Sequence, residues 1–320
     1  MAQEYWRKRA NEIIAEEEKS DYEITKEIER IVNEMNNDIE QEILKFYAKY
    51  ATAEGISLQD AKKKIDAFDV KAFQNKAKQY VDERNFSDKA NKELKQYNTA
   101  MYVSREKLLQ MQLGLIVTYA YARLESQMYN YMESSYYRSL QQQAGILGES
   151  LQVSLSDVKT IILTPFHGSK WSTRHWQDMK VVRKHVQRTA SHVLLRGRHP
   201  NEFVKDMRKD TGNSTYEIKR LLLTETARVQ VLATKQHMLE NNGENAEYKY
   251  VAKLDSKTTK TCRGLDDQVF KVKDMTPGVN APPMHPFCRS AVVPHVGDWR
   301  TKFFERVKGK YSLSDFIEEW

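Results

Sequence analysis

Proline is absent from the first 164 residues and histidine from the first 166, and only Gly55 and Gly114 supply glycine before residue 145. Proline removes a helix hydrogen bond and glycine carries extra chain entropy, so a stretch nearly free of both favours long, uninterrupted helices. Cysteine is scarce too: Cys262 and Cys288 are the only two in 320 residues. That excludes a disulfide-rich scaffold and fits synthesis in a reducing compartment. The opening segment, MAQEYWRKRANEIIAEEEKS, lacks the apolar region of a secretory signal. The longest apolar run, Leu113 to Ala122, is about half of the ~20 residues that cross a bilayer, so it reads as a buried helix segment and no membrane span is expected. No P-loop, GxSxG, HExxH or dinucleotide fingerprint occurs.

What is present is unevenly spread. Apolar residues make up 40% and charged residues 30% of the chain. This balance favours elongated helices with much solvated surface, while 11 Phe, 5 Trp and 17 Tyr argue against disorder. The formal charge of +7 hides two opposed segments. Residues 1–50 carry 8 basic and 13 acidic side chains, whereas residues 170–209 carry 11 basic and 3 acidic ones, a net +8.

Ile24, Ile28, Ile31, Met35, Ile39 and Ile43 recur at three- and four-residue steps, predicting one amphipathic helix over about residues 4–52, broken at Glu54–Gly55. Ser57 with Asp60 resembles a capping box opening a second helix to about Asn85. Ser87–Asp88 starts a third stretch to about Gln143, kinked at Gly114. Tyr119, Tyr121, Tyr129, Tyr131, Tyr136 and Tyr137 decorate it. Only Arg123 accompanies these rings, so they predict an aromatic helix interface rather than a nucleic-acid stacking platform. QQQAGILGES marks a boundary near Gly145–Ser150. Beyond it, Ser156 caps a helix ending before Pro165, and Ser172 caps one to about Leu195. A short helix follows Pro200, and Ser214 or Thr215 opens another that ends at Asn241-Asn242-Gly243. Glu247–Leu254, Gln268–Val272 and Ser290–Val293 read as strands. The last twenty residues read as a tail with a capped segment at Ser314–Glu318.

Two groups of residues invite chemistry. Lys180, Arg183, Lys184 and Arg188 fall at i, i+3, i+4 and i+8 of one helix, with Arg196 and Arg198 beyond. Such a face is either simply solvated or binds a polyanion such as double-stranded DNA without reading sequence, or it docks on an acidic protein surface. Cys262, His285 and Cys288 form a three-ligand set for zinc, with Asp255, Asp266 or His295 as a fourth. Buried, metal-free Cys and His are the alternative reading. Thiol catalysis by the same residues lacks a third member and an oxyanion device. Glu225 is more at home as an interface carboxylate than as a catalytic one.

The order of short motifs resembles a known family. Trp171-Ser172-Thr173-Arg174, Arg220 to Thr226, Leu254 to Thr258, Cys262-Arg263-Gly264-Leu265-Asp266, Val269-Phe270 and Pro282 to Arg289 follow one another as in the phage head-morphogenesis family, the minor head proteins similar to protein F of phage Mu. The resemblance covers roughly residues 150–295. It implies a virion component inside the phage head, assembled in the bacterial cytoplasm, with portal, scaffold or major capsid protein as partners. Family members often end the last motif in His-Pro-Asn-Cys-Arg-Cys, whereas this chain has Phe287 and Ser290, one candidate ligand fewer.

The resulting expectation is a mainly α protein. Residues 1–148 form a long helical arm or bundle, 149–245 a helical middle domain, 246–298 a small α+β Cys/His module and 299–320 a tail. The expected role is non-enzymatic, in procapsid assembly near the portal and the packaged DNA. The alternatives are a DNA-escorting accessory protein and a Cys/His-centred enzyme.

Overall fold

The computed structural model describes residues 2–50, 67–82, 86–99, 104–147, 153–196 and 200–295. It is mainly helical, with a small three-stranded antiparallel sheet near the C-terminal end of the described chain. The chain separates into two compact units, Glu16–Arg138 with Gln152–Gln230, and Met1–Ala15 with Ser139–Leu151 and Val231–Trp320. Half of the boundary expected at Gly145–Ser150 lies outside the described residues, as do the break at Glu54–Gly55, the cap at Ser57 and the tail.

In the first unit, the part of α1 (Ala2–Tyr50) from Glu16 onward buries Ile24, Ile28, Ile31, Met35, Ile39 and Ile43, the stripe its spacing predicts. The helix is also tied laterally by charge. Arg123 donates to Glu34 at 2.7 Å, Arg138 to Glu17 at 2.9 Å and Arg208 to Glu40 at 3.1 Å. Part of the acidic excess of this helix is therefore answered by basic residues of the same unit. The helices pack side by side here, as a bundle rather than an isolated arm. α2 spans Ala67–Asp82. α3 (Asp88–Lys95) opens on Ser87, whose hydroxyl accepts from the Ala90 amide at 3.1 Å.

The third helical stretch differs from expectation. A 3-10 turn at Gln96–Thr99 ends it, and α4 (Arg105–Leu147) begins afresh. Burial of Tyr97 accounts for the interruption. Its ring meets Phe73 edge-on at 6.2 Å and its hydroxyl lies 3.3 Å from Thr118 Oγ1. Gly114 sits inside α4, where a Cβ would stand 2.6 Å from Gln187 Nε2 and 2.9 Å from Tyr97 Oη. Close approach explains that glycine. The tyrosines of α4 do line helix interfaces. Tyr119 stacks on Tyr80 at 3.9 Å, Tyr121 donates to Asp178 at 2.6 Å, and Tyr131 donates to Asp21 at 2.7 Å.

Three later helix starts also shift. α5 (Leu155–Leu163) is capped by Ser154, which accepts from the Asp157 amide at 3.2 Å, two residues before the expected Ser156. α6 (Trp171–Arg196) begins one residue ahead of Ser172, because the Lys170 carbonyl already accepts from the Thr173 amide. α7 (Pro200–Asn242) runs unbroken through the start expected at Ser214 or Thr215. There the hydroxyls of Thr211 and Thr215 donate to carbonyls four residues back, at 3.0 and 2.8 Å, instead of capping. A Cβ at Gly212 would meet nothing within 4 Å, so the helix passes this glycine without a packing conflict.

In the second unit, β1 (Glu247–Val251) lies between β2 (Val269–Lys271) and β3 (Ala291–His295), antiparallel to both. Alternation sends Tyr248 and Tyr250 to one face and Val251 to the other. Tyr248 packs with Met238, Val272, Met275 and Val292. Val251 and Val293 are covered by Trp6 and Ala10. Arg7 donates to Asp266 at 3.1 Å and to Asp267 at 2.5 Å.

Candidate metal centre

Tyr250 leads directly to the chemistry. It shares a buried cluster with Ala252, Cys262 and Cys288. Cys262 is carried by α8 (Lys260–Leu265), whose cap is Thr259, accepting from the Cys262 amide at 3.3 Å. His285 and Cys288 come from a four-residue turn. Pro286 occupies its second position, Phe287 its third at φ 57°, and the Cys288 amide donates to the His285 carbonyl at 3.2 Å. Proline followed by a positive φ is the arrangement of a type II turn. It brings the imidazole and the thiol to one side, which their three-residue separation alone does not dictate.

The three side chains converge. Cys262 Sγ lies 3.3 Å from His285 Nε2 and 3.8 Å from Cys288 Sγ, and the three ligand atoms all lie within 4.8 Å of one another. Tetrahedral bonds of about 2.3 Å to sulfur and about 2.0–2.1 Å to nitrogen set sulfur–sulfur edges of about 3.8 Å and sulfur–nitrogen edges of about 3.6 Å. The group can hold a metal ion. His285 is also prepared for that role: its Nδ1 donates to the Pro286 carbonyl at 2.8 Å, which leaves the Nε2 lone pair toward the thiols. The Tyr250 hydroxyl donates to Cys262 Sγ at 3.3 Å and stands 4.0 Å from Cys288 Sγ.

The electrostatics favour one thiolate beside one thiol. A hydrogen bond from Cys288, helped by those from Thr259 and Tyr250, pulls the Cys262 thiol down against the opposing effect of burial. The same contact, together with burial, pushes Cys288 up. Burial first, then the neighbouring sulfur charge, pushes the Tyr250 phenol up, so it stays a donor.

Asp255 stands apart from the three. Arg289 donates to its two oxygens at 2.6 and 2.8 Å, and this pairing holds its carboxyl well below the usual range. The Lys257 amide adds a third bond at 2.8 Å. The pair joins the loop before Cys262 to the residue after Cys288, so Asp255 positions ligands. Its aspartate-to-arginine reach across 34 residues is invisible to spacing arguments, as is the part played by Tyr250. Asp266 accepts from the Ala252 amide at 2.9 Å, and His295 pairs with Glu247 in the β1–β3 register.

The basic residues divide. Lys180, Lys184 and Arg188 are exposed on α6, whereas Arg183 turns inward, donating to Glu93 at 3.3 Å and Tyr97 at 3.4 Å. The Arg196 side chain and Arg198 lie outside the described residues. Glu225 proves to be an interface carboxylate, 1% exposed. Arg174 donates to one of its oxygens and Arg228 to the other at 2.8 Å, while Arg228 also donates to the Ile161 and Ile162 carbonyls at 3.0 and 3.2 Å. Two of the short motifs, around Arg174 and around Glu225, thus meet in space.

Comparison with protein families matches residues 184–293 to the family described as phage Mu protein F like protein. The chain is similar to that family over this segment. The segment takes in the second half of α6, all of α7 and the Cys/His module up to Val293. The match supports a phage head-morphogenesis protein and with it a place in the virion. Comparisons with curated proteins and with solved structures find no match. Among the described residues, no helix is long and apolar enough to cross a membrane.

Proposed function

We propose that this chain is a phage minor head protein that acts in procapsid assembly, associates with the portal, and works without catalysing a reaction. The family match over residues 184–293 carries the reading. Within it, the Cys262, His285 and Cys288 group takes zinc as a structural staple for a sheet of only three short strands. The helical unit supplies protein contacts to portal, scaffold or major capsid protein. The test is mass spectrometry of purified virions beside DNA-free procapsids. The protein should be found in both at a few copies per particle. Its absence from virions would sink the reading, and zinc far below one per chain would remove the staple.

A second reading rests on Lys180, Lys184 and Arg188, exposed on α6. Clustered cations bind duplex phosphates through counterion release. An accessory protein that escorts DNA should bind it with an affinity that falls steeply as salt rises, and should lose that affinity when the three become Glu. Salt-insensitive binding, or binding indifferent to the charge reversal, excludes this role.

A further inference from the structure

Tetrahedral zinc takes four ligands, and three protein ligands with a water in the fourth place is the alternative to a closed set. Among the described residues, Cys262, His285 and Cys288 are the only group of His, Cys, Asp and Glu whose ligand atoms gather closely enough to hold an ion. The fourth ligands that the sequence suggests, Asp255, Asp266 and His295, are engaged or placed elsewhere. Asp255 holds Arg289 with both oxygens, at 2.6 and 2.8 Å. Asp266 accepts from the Ala252 amide at 2.9 Å and from Arg7 at 3.1 Å. His295 stands opposite Glu247 at the end of β1 remote from Tyr250, whose hydroxyl reaches the thiol.

We infer that the ion has three protein ligands and an exchangeable fourth ligand drawn from solvent, which a small anion can replace. The inference rests on the zinc reading above. Burial gives the group a closed and an open side. Cys262 and Cys288 are 1% and 8% exposed, whereas His285 is only half-buried. Solvent therefore reaches the group from the imidazole side, and the thiols with Tyr250 form its dry wall. Tyr250 belongs to that wall as a hydrogen-bond donor to sulfur, an outer contact of the kind that sets ligand orientation and metal affinity. The exchange is a simple substitution in which bound water leaves as the anion's lone pair takes its place, with no change of oxidation state.

The test uses the full-length chain with cobalt(II) in place of zinc and azide as the incoming anion. One cobalt per chain should give sulfur-to-cobalt charge-transfer absorption, and azide should shift the visible d–d bands along a saturable curve. The same azide response is expected after Asp266→Asn, which removes the competing carboxylate without touching a ligand. Cobalt bound with d–d bands that azide leaves unmoved means a closed set of four protein ligands and overturns the inference. An azide response that appears only after Asp266→Asn makes that carboxylate the fourth ligand and also overturns it. Absence of charge-transfer absorption and of zinc in the isolated protein is a different outcome, because it removes the zinc reading itself.

Discussion

Around α1 and α4 the core is built from repetition: Ile28, Ile31, Ile39, Leu113, Val117 and Leu124 are each buried, at spacings one helix face supplies. Around β1 the core is divided among three small clusters, the largest of seven buried residues around Tyr248, and one of the others contains both cysteines. The helical unit spreads its stability over many apolar contacts, so losing one leaves the rest in place. The module concentrates its stability in a turn, an ion pair and three candidate ligands. Damage to any of these should be disproportionate.

Breaking the module at its centre should produce the largest effect. Cys288→Ser, or removal of metal by a chelator, should abolish hydrogen-exchange protection across residues 247–295, while far-UV circular dichroism keeps most of its helical signal. Structural zinc contributes on the order of 10 kcal/mol in small zinc domains, far more than three short strands can replace. Equal loss of protection in α1 and α4 would show that the two regions do not differ in this way.

The helical unit has one place where damage should also concentrate. Glu225→Ala leaves Arg228, 2% exposed, without its carboxylate. Removing one partner of a buried ion pair costs about 3–5 kcal/mol, to be read from the denaturation midpoint. A loss below about 1 kcal/mol, the usual worth of a surface ion pair, would place Glu225 among the dispensable contacts.

A smaller effect of opposite sign is expected at Asp21. Burial, the first cause, and the nearby Glu17 charge push its carboxyl from 3.8 up to about 6. The folded state thus binds the proton more tightly than the unfolded chain, and ionised Asp21 is a cost that is full above pH 6 and gone below pH 3.8. Asp21→Asn keeps an acceptor for Tyr131 and should stabilise the protein by about 1–2 kcal/mol at neutral pH. The gain should fade as pH falls through that window. A gain independent of pH would point to another cause.

The finest adjustment concerns Phe287 at φ 57°, a left-handed conformation that Asn adopts more readily than Phe. Phe287→Asn should relieve up to about 1 kcal/mol of backbone strain. The readout is a higher melting temperature for the module with metal stoichiometry unchanged.

Legibility in the sequence followed the same division. The α1 stripe, the Ser87 cap and the three strands could be read from periodicity and local hydrogen-bonding chemistry, because each depends on neighbours in the chain. The interruption at Gln96–Thr99 could not, since it depends on Tyr97 finding Phe73 and Thr118. Nor could the unbroken α7, where Thr211 and Thr215 spend their hydroxyls inside the helix. On α6 the helical wheel placed Arg183 with Lys180, Lys184 and Arg188, but Glu93 and Tyr97 draw it inward.

By itself, the sequence determined that long helices dominate, that charge is segregated along the chain, and that Cys262, His285 and Cys288 are a candidate ligand set. Those properties follow from composition and short-range spacing. Tertiary structure alone decided that the two thiols and the imidazole converge, that Asp255 clamps Arg289 instead of joining them, and that Glu225 lies between two arginines. Each of these needs groups from distant segments to meet. Proximity of that kind comes from packing, which local spacing does not encode.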